Sequence, residues 1–573
     1  MKKKIIRRPI LNKCLNQSIP NVLDRIYRAR QINNSSQLDY SLKQLLPFSL
    51  LNGIDKAVDL LYQALLSQKR VMIVADFDTD GATSCALAVK ALTKFGLKQV
   101  EFLVPNRFEY GYGLTPEIVE LAKQSSPELL ITVDNGISSI DGVLTAKQAG
   151  MEVLITDHHL PGNSLPEADA IVNPNCHGDN FPSKSLAGVG VIFYVLLALR
   201  AKCREMEWFQ SQALVEPNMA DFLDLVALGT VADVVVLDQN NRILVDQGLK
   251  RINHGHCCLG IKALIDVAGK SIQRLSATDL GFSVAPRLNA AGRLDDMSLG
   301  IACLLSNEKN EAKNLAEQLH LLNQERREIE ASMQDEAMIV IKKLENNQQK
   351  HLPFGICLFD ETWHQGVIGI LASRIKEKYN RPAVIFAAHD NKTLKGSCRS
   401  VKGFHIRDGL DAIATKNPGL IEKFGGHAMA AGLSIDKANL TQFSELFDLE
   451  VQQFLDEQAL QGVIESDGEL AADELNLNVA SLIKNAGPWG QGFPEPVFDG
   501  IFDIIEKRVV GKKHLKMRLQ PASSQIAIDA IAFNVSNEQL DCQSNKATIA
   551  YRLDINEFRG AVTPQLIVEY LEM

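Results

Sequence analysis

Three short apolar runs each end in acidic residues. VMIVA (71–75) leads into DFDTDG, LLITV (129–133) into DNG, and EVLIT (152–156) into DHH. This sets Asp76, Asp78, Asp80, Asp134, Asp157, His158 and His159 at the ends of successive strands. In an open α/β sheet the ligand crevice lies beyond the carboxyl ends of the strands, so these groups converge on one point. Carboxylates a few ångströms apart disfavour each other's ionisation unless a cation compensates. Hard oxygens with an imidazole suit Mn²⁺ or Mg²⁺. Two such ions, about 3.5–4 Å apart, can clamp a phosphoryl group, lower the pKa of a water and stabilise a leaving oxygen. A lone Asp at a strand end is commonly a helix cap, and DNG alone could be a turn. Three acidic strand ends with a His pair go beyond either. A fourth acid, Asp233, sits in the apolar stretch GTVADVVVL. Burying it there is costly without a partner, and a metal provides one.

The elements that must position these groups are legible around them. Helical stretches, Ala82 to Phe95 and Pro116 to Gln124, separate the apolar runs. That alternation predicts a parallel sheet with helices on its faces. Residues 181–300 read as helix-rich. From about Asn307 to Asn346 runs a segment without Pro or Gly. Leu315, Leu319, Leu322, Ile329 and Met333 make one apolar stripe along it, as expected of a bridging helix between two lobes. A second α/β unit begins near Gly355 and closes with FGGHAMAAG at 424–432. The tail from about Val463 is rich in short strand-like runs and fits a small β-barrel.

The chain of 573 residues exceeds one hydrophobic core and predicts three to four domains. With 46% hydrophobic and 23% charged residues it has the composition of a globular protein. The net charge of −9 speaks against a nucleic-acid partner only weakly, because an acidic metal site lowers it and a basic patch can lie on one domain. Ten cysteines form no CxxC pair, and Cys257 and Cys258 are adjacent. Reduced thiols and a cytoplasmic location are expected. The basic start, MKKKIIRRPILNKCLNQ, is followed by no signal-peptide core, and no run of about 18 apolar residues predicts a membrane span.

Other segments offer contacts to an anionic strand. In VPNRFEYGYG, Arg107 can fork onto a phosphate and Tyr112 can stack on a base, although an ordinary surface loop explains both. RLNAAGR brings Asn289 and Arg293, with a glycine that permits close backbone approach. In GSCRS, Ser397 and Arg399 alternate on one face of an extended segment and together make an anion cradle. Gly425 and Gly426, read as preceding a helix, make a phosphate nest beside His427; a tight turn with a buried His is the alternative. Lys507, Arg508, Lys512, Lys513, His514, Lys516 and Arg518 fall within twelve residues. In a β-hairpin of a small barrel they fit a groove for single strands rather than a merely solvated face.

DFDTDG, VDNG, TDHH and GTVADVV, in that order, resemble the four signature motifs of the DHH phosphoesterase superfamily. The resemblance implies two metal ions held by Asp78, Asp80, Asp134, His158 and Asp233, and leaves Asp76 and Asp157 open as direct ligands. His159 is similar to the family's histidine on the scissile phosphate. VPNRFEYGYGLT, VAPRLNAAGRLDD, LLNQERREIE, WHQGVIGILASRI, GSCRS and GGHAMAAG resemble the RecJ-type exonucleases of that superfamily in particular, from about residue 20 onward.

That resemblance implies an α/β fold of two lobes, DHH and DHHA1, joined by a long helix and followed by an OB-like barrel. The expected bounds are a helical lead-in at 1–45, the DHH domain at 46–306, the connecting helix at 307–346, DHHA1 at 347–460 and the OB-like domain at 461–573. It further implies a cleft between the lobes and a metal-dependent exonuclease acting on single-stranded DNA from its 5′ end, without a covalent intermediate. Arg293, Ser397 and Arg399 are expected to hold the 5′-terminal phosphate. Work in recombination and repair beside single-strand-binding protein and a helicase is implied, with a monomer expected and no membrane partner. Two rivals remain at this point. One is a small-nucleotide phosphodiesterase or pyrophosphatase, disfavoured by the chain's length and basic tail. The other is a DNA-binding relative with a degenerate site, disfavoured by acids at all four motifs.

Overall fold

The computed structural model describes residues 3–10, 15, 18–106, 110, 113–347, 352–511, 513–522, 524–558 and 560–573. The chain divides into two units: Arg8–Asn323 with Asp467–Met573, and Met1–Arg7 with Gln324–Ser466.

The larger unit is built on a five-stranded sheet in the order Val100–Leu103, Val71–Ala75, Leu129–Val133, Glu152–Thr156, Ala170–Val172. Every neighbouring pair is parallel. Strands covered on both faces read as continuous apolar runs, which is why VMIVA and LLITV are buried throughout. Ala75 pairs with Val133, and Val133 with Thr156, so the next residues, Asp76, Asp134 and Asp157, emerge side by side. The chain leaves Val71–Ala75 toward one edge and returns to its other side at Leu129–Val133. That reversal of strand order is where a crevice opens in such sheets.

Helices Thr79–Phe95, Gly188–Glu205 and Leu223–Ala232 pack on one another in the main core of this unit. The first begins three residues before the expected Ala82. Asp78 caps it, its carboxylate accepting from the amides of Asp80 (2.8 Å) and Gly81 (3.1 Å). The same unit holds a closed five-stranded barrel, in the order Phe498–Val510, His514–Pro521, Ile528–Ala532, Ala561–Glu572, Lys546–Phe558. This is the expected OB-like architecture, and the described residues of the basic cluster lie on a hairpin of it.

The second unit carries a mixed sheet in the order Lys423–Gly426, Ala430–Asp436, Thr393–Arg399, Ala383–Ala388, Ile356–Phe359. Only the last pair is parallel. A 39-residue helix, Lys309–Asn347, carries the chain from the first unit into the second. The lead-in, expected to be helical, begins instead with a strand: Lys4–Arg7 pairs in parallel with Val463–Ser466, and the helix Asn21–Ala29 follows. The nine cysteines among the described residues are free thiols, and no described helix is long and apolar enough to cross a membrane.

Candidate active site

Three sets of ligand atoms come together beyond the sheet: Asp76, Asp78 and Asp134; Asp134, His158 and His159; and Asp80, His158 and Asp233. Within each set the atoms lie within 4.8 Å of one another. His158 links the second and third sets, its Nε2 lying 3.1 Å from Asp134 Oδ1 and 3.4 Å from Asp233 Oδ2, and Asp134 links the first to them. Asp233 arrives from the C-terminal cap of the helix Leu223–Ala232 rather than from a strand end.

The backbone around these acids is tightly held. Asp134 is left-handed at φ +63°, a conformation most side chains avoid. The amide of Asn135 fastens it, donating to the carbonyls of Val74 (3.0 Å) and Val133 (2.9 Å). Two glycines let the DFDTDG loop close, one within it and one from another segment. A Cβ on Gly81 would lie 2.4 Å from the Asp76 carbonyl, and one on Gly292 would lie 1.8 Å from the Phe77 carbonyl. Val234, directly after Asp233, is also left-handed at φ +59°. Such strain persists where the surroundings over-determine it, as at sites of chemistry.

One contributor escaped the sequence reading. The N-terminus of the helix Gly188–Glu205 aims its free amides at Asp80: Gly188 donates to one carboxylate oxygen (2.7 Å) and Val189 to the other (3.0 Å). The partial positive charge of the helix terminus favours an anion there. Gly188 must lack a side chain, since a Cβ would approach Asp134 Oδ1 to 2.5 Å. The only local signal is the string AGVG at the start of an apolar helix, whose first amides have no side-chain cap. Asn173 and Asn175 were missed as well. Their amides hold the carbonyls of His159 (2.9 Å) and His158 (2.5 Å).

The electrostatics ask for a cation. Burial and the neighbouring Asp78 raise Asp80 to about 7. Burial, then Asp80 and Asp78, push both Asp134 and Asp233 well above the ordinary carboxylate range. Like charges compressed in a dry site are the arrangement a divalent ion relieves, and oxygen with imidazole is the donor set of Mn²⁺ or Mg²⁺. The residues present fit such a group.

Asp157 takes a different position from the other acids. Its carboxylate accepts from the amides of Ile137 (2.9 Å), His158 (2.7 Å) and His159 (3.1 Å), and meets His159 Nδ1 at 2.8 Å. It joins none of the three ligand sets among the described residues. Burial alone would raise it, but the hydrogen bond and charge of His159 lower it. Burial opposes charge on His159, yet Asp157, with Asp76 and Asp78 behind it, raises it to about 9. Asp157 is thus placed to orient His159. Asp157→Asn should lower turnover by about ten- to a hundredfold. It should also move the loss of activity at alkaline pH to lower pH, as His159 relaxes toward its ordinary range. A pH–rate profile reads both, and an unchanged alkaline limb would count against this role.

The remaining sequence candidates are placed as follows. Asn289 and Arg293 lie on the helix Ala285–Leu294. Asn289 Oδ1 accepts from the amide (2.9 Å) and hydroxyl (2.8 Å) of Thr79, tying that helix to the acidic loop. In the second unit Ser397 and Arg399 sit on one face of the strand Thr393–Arg399, with Arg399 Nη1 3.2 Å from Ser397 Oγ. A Cβ on Gly369 would lie 3.1 Å from that hydroxyl, so a helix start closes over the pair. Gly425 and Gly426 correct the reading of a nest before a helix. They end the strand Lys423–Gly426 and lead into a hairpin closed by the His427 amide on the Ala430 carbonyl (2.8 Å). Gly426 is needed there, because a Cβ would meet Ala431 Cα at 2.4 Å. Lys513 is exposed at the tip of the barrel hairpin. Arg107, Tyr112 and Lys512 lie outside the described residues.

Comparison with known proteins places this geometry. Residues 70–230 match the DHH family, N-terminal domain; residues 352–453 match the DHHA1 domain; residues 466–570 match the RecJ OB domain. The chain is 53% identical to the single-stranded-DNA-specific exonuclease RecJ of Haemophilus influenzae, over 100% of this chain and 99% of that protein. It is 51% identical to its namesake from Escherichia coli, over 97% of this chain and 96% of that protein. The crystal structure of RecJ from Thermus thermophilus in complex with Mn²⁺ superimposes with a TM-score of 0.80 at 28% identity, covering 100% of this chain and 79% of that one. The Mg²⁺ complex from the same organism gives 0.76 at 26% identity, covering 100% and 78%.

Proposed function

This chain belongs to the RecJ family of single-stranded-DNA-specific exonucleases, and from that premise we propose that it hydrolyses single-stranded DNA from the 5′ end, releasing nucleotides. It is a metal-dependent phosphodiester hydrolase whose cofactors are divalent Mn²⁺ or Mg²⁺. The observation that carries this reading is the convergence of Asp80, Asp134 and Asp233 on His158, with Asp76 and Asp78 joined to them through Asp134.

Asp78, Asp80, Asp134, His158 and Asp233 would hold two ions, with Asp76 alongside. When bound, the ions supply Lewis acidity to a water and to the leaving oxygen. The chain's own residues do the rest. The amides of Gly188 and Val189 fix Asp80, and Asn135 fixes Asp134. His159, kept charged by Asp157, meets the anionic oxygens of the phosphoryl group. Ser397 and Arg399 bind the terminal phosphate of the 5′ end, with Gly425, Gly426 and His427 on the neighbouring hairpin. Asn289 holds the acidic loop through Thr79, and Arg293 joins Ser397 and Arg399 on the terminal phosphate. Arg107 and Tyr112 add contacts to phosphate and base.

The finer assignments follow the same line: a monomer in the cytoplasm, acting in recombination and repair beside single-strand-binding protein and a helicase. The test is nucleotide release from a long single strand with and without metal, against pyrophosphate and dinucleotides. Turnover confined to pyrophosphate or dinucleotides would select the small-substrate reading. Strand binding without release would select the non-catalytic one.

The barrel hairpin should contribute affinity rather than chemistry. Neutralising Lys512 and Lys513 together should weaken binding to long strands and flatten its salt dependence by roughly one to two units of slope. Turnover of very short oligonucleotides should barely change. An equal loss on short and long substrates would remove the hairpin from the strand-binding surface.

A further inference from the structure

Ahead of the helix Ala285–Leu294 the chain makes one π-helical turn, Leu280–Val284. Such turns carry an extra residue, are rare, and recur at functional sites. Here the turn buries Leu280 and Val284 completely and tips Phe282 outward, 76% exposed. A single exposed aromatic on a protein surface needs no explanation of its own. The mounting of this one is what distinguishes it.

The turn and the residue after it lie against two of the segments that carry the metal-site acids. A Cβ on Gly281 would lie 3.2 Å from Val231 Cγ1, two residues ahead of Asp233. The carbonyl of Ala285 accepts from the Thr79 hydroxyl at 3.2 Å, and Thr79 lies between Asp78 and Asp80. The Ser283 carbonyl, adjacent to Phe282, is taken by the guanidinium of Arg287, which is 6% exposed. The ring therefore stands on a hydrogen-bonded support that adjoins the DFDTDG loop and the segment ahead of Asp233. Val234, beside Asp233, is exposed as well at 64%.

A single strand delivers to such a place one flat apolar surface per nucleotide, and every base has a π-face. We propose that Phe282 is a stacking platform for a nucleobase of the substrate strand close to the scissile bond, fixing where the backbone lies over the acids. This rests on the single-strand reading of the site and names a residue that positions the substrate within it. Stacking is tolerant of base identity, so it holds any sequence in register.

The test uses the full chain with Phe282→Ala and Phe282→Trp. Strands carrying one abasic site, walked through the first several nucleotides, are bound under metal chelation and followed by fluorescence anisotropy. The same strands are then turned over in Mn²⁺. Phe282→Ala should weaken binding and kcat/KM by about tenfold, and Phe282→Trp should restore both. In the wild type one abasic position should cost a similar factor. In Phe282→Ala that position should cost nothing further, because ring and base are two halves of one contact. Wild-type affinity in Phe282→Ala, or the same abasic profile in both proteins, would overturn the proposal. A wild type that binds strands but releases no nucleotide would overturn the exonuclease reading instead, while the abasic binding profile would still decide the role of Phe282.

Discussion

Asp134→Ala is expected to abolish hydrolysis, by roughly a thousandfold or more, in a protein that still folds. Asp134 belongs to two of the three ligand sets, one with Asp76 and Asp78 and one with the two histidines, so its loss weakens both ion positions. Ala in a left-handed backbone adds strain of its own. Asp134→Asn keeps that conformation accessible and should be equally inactive. Neither change should lower the Tm of the metal-free protein much, because each removes a carboxylate that its neighbours repel. The Tm gain on adding Mn²⁺ should disappear in both. In the wild type that gain should depend on pH. Burial and like charge raise Asp80 to about 7. The stabilisation from its protonation is fully present below the unfolded carboxylate range, about 4, and is lost as pH rises through about 7. A cation reverses that loss, so the Mn²⁺-induced gain should grow across this window. Near-normal turnover of either variant in Mn²⁺ would contradict the two-metal reading.

Arg399→Ala should cost most on a strand that carries a 5′-phosphate. Arg399 lies beside Ser397 on one strand face, and burial pulls the guanidinium below its ordinary range, as expected of a charge held ready in a dry place. Losing one charge-assisted contact should cost about 1.5–3 kcal/mol, or roughly ten- to a hundredfold in binding. A 5′-hydroxyl strand should be a poorer substrate for the wild type and should lose less on mutation. Two enzymes against two strand ends, with rates compared at limiting substrate, decide the matter. An equal loss on both ends would mean that this pair does not read the terminal phosphate.

The acidic sheet edge was legible because buried parallel strands leave an unmistakable trace. VMIVA, LLITV and EVLIT are too apolar for any exposed segment, and each stops at a carboxylate. The long helix was legible from a stretch with no Pro or Gly. What escaped depends on tertiary context. Nothing in AGVG announces that Gly188 and Val189 will cradle Asp80, because the donors are backbone amides. The left-handed turn at Asp134 carries no residue signal beyond DNG. GGHAMAAG reads locally as a helix start, yet Ala430–Asp436 finds a partner in Thr393–Arg399 and becomes a strand. Lys4–Arg7 is a strand only because Val463–Ser466 lies beside it, far along the chain. Asp157, grouped by its position with the metal ligands, is drawn away by three amides and His159.

The most direct test of the central claim is a time course on one long single strand labelled at its 5′ or its 3′ end, in Mn²⁺, in Mg²⁺ and in chelator. With either metal, the 5′ label should leave as mononucleotide from the earliest times, while the 3′ label stays on progressively shorter strands. In chelator both labels should stay on full-length DNA. Early release of the 3′ label, or release of either label in chelator, would contradict a metal-dependent exonuclease that works from the 5′ end.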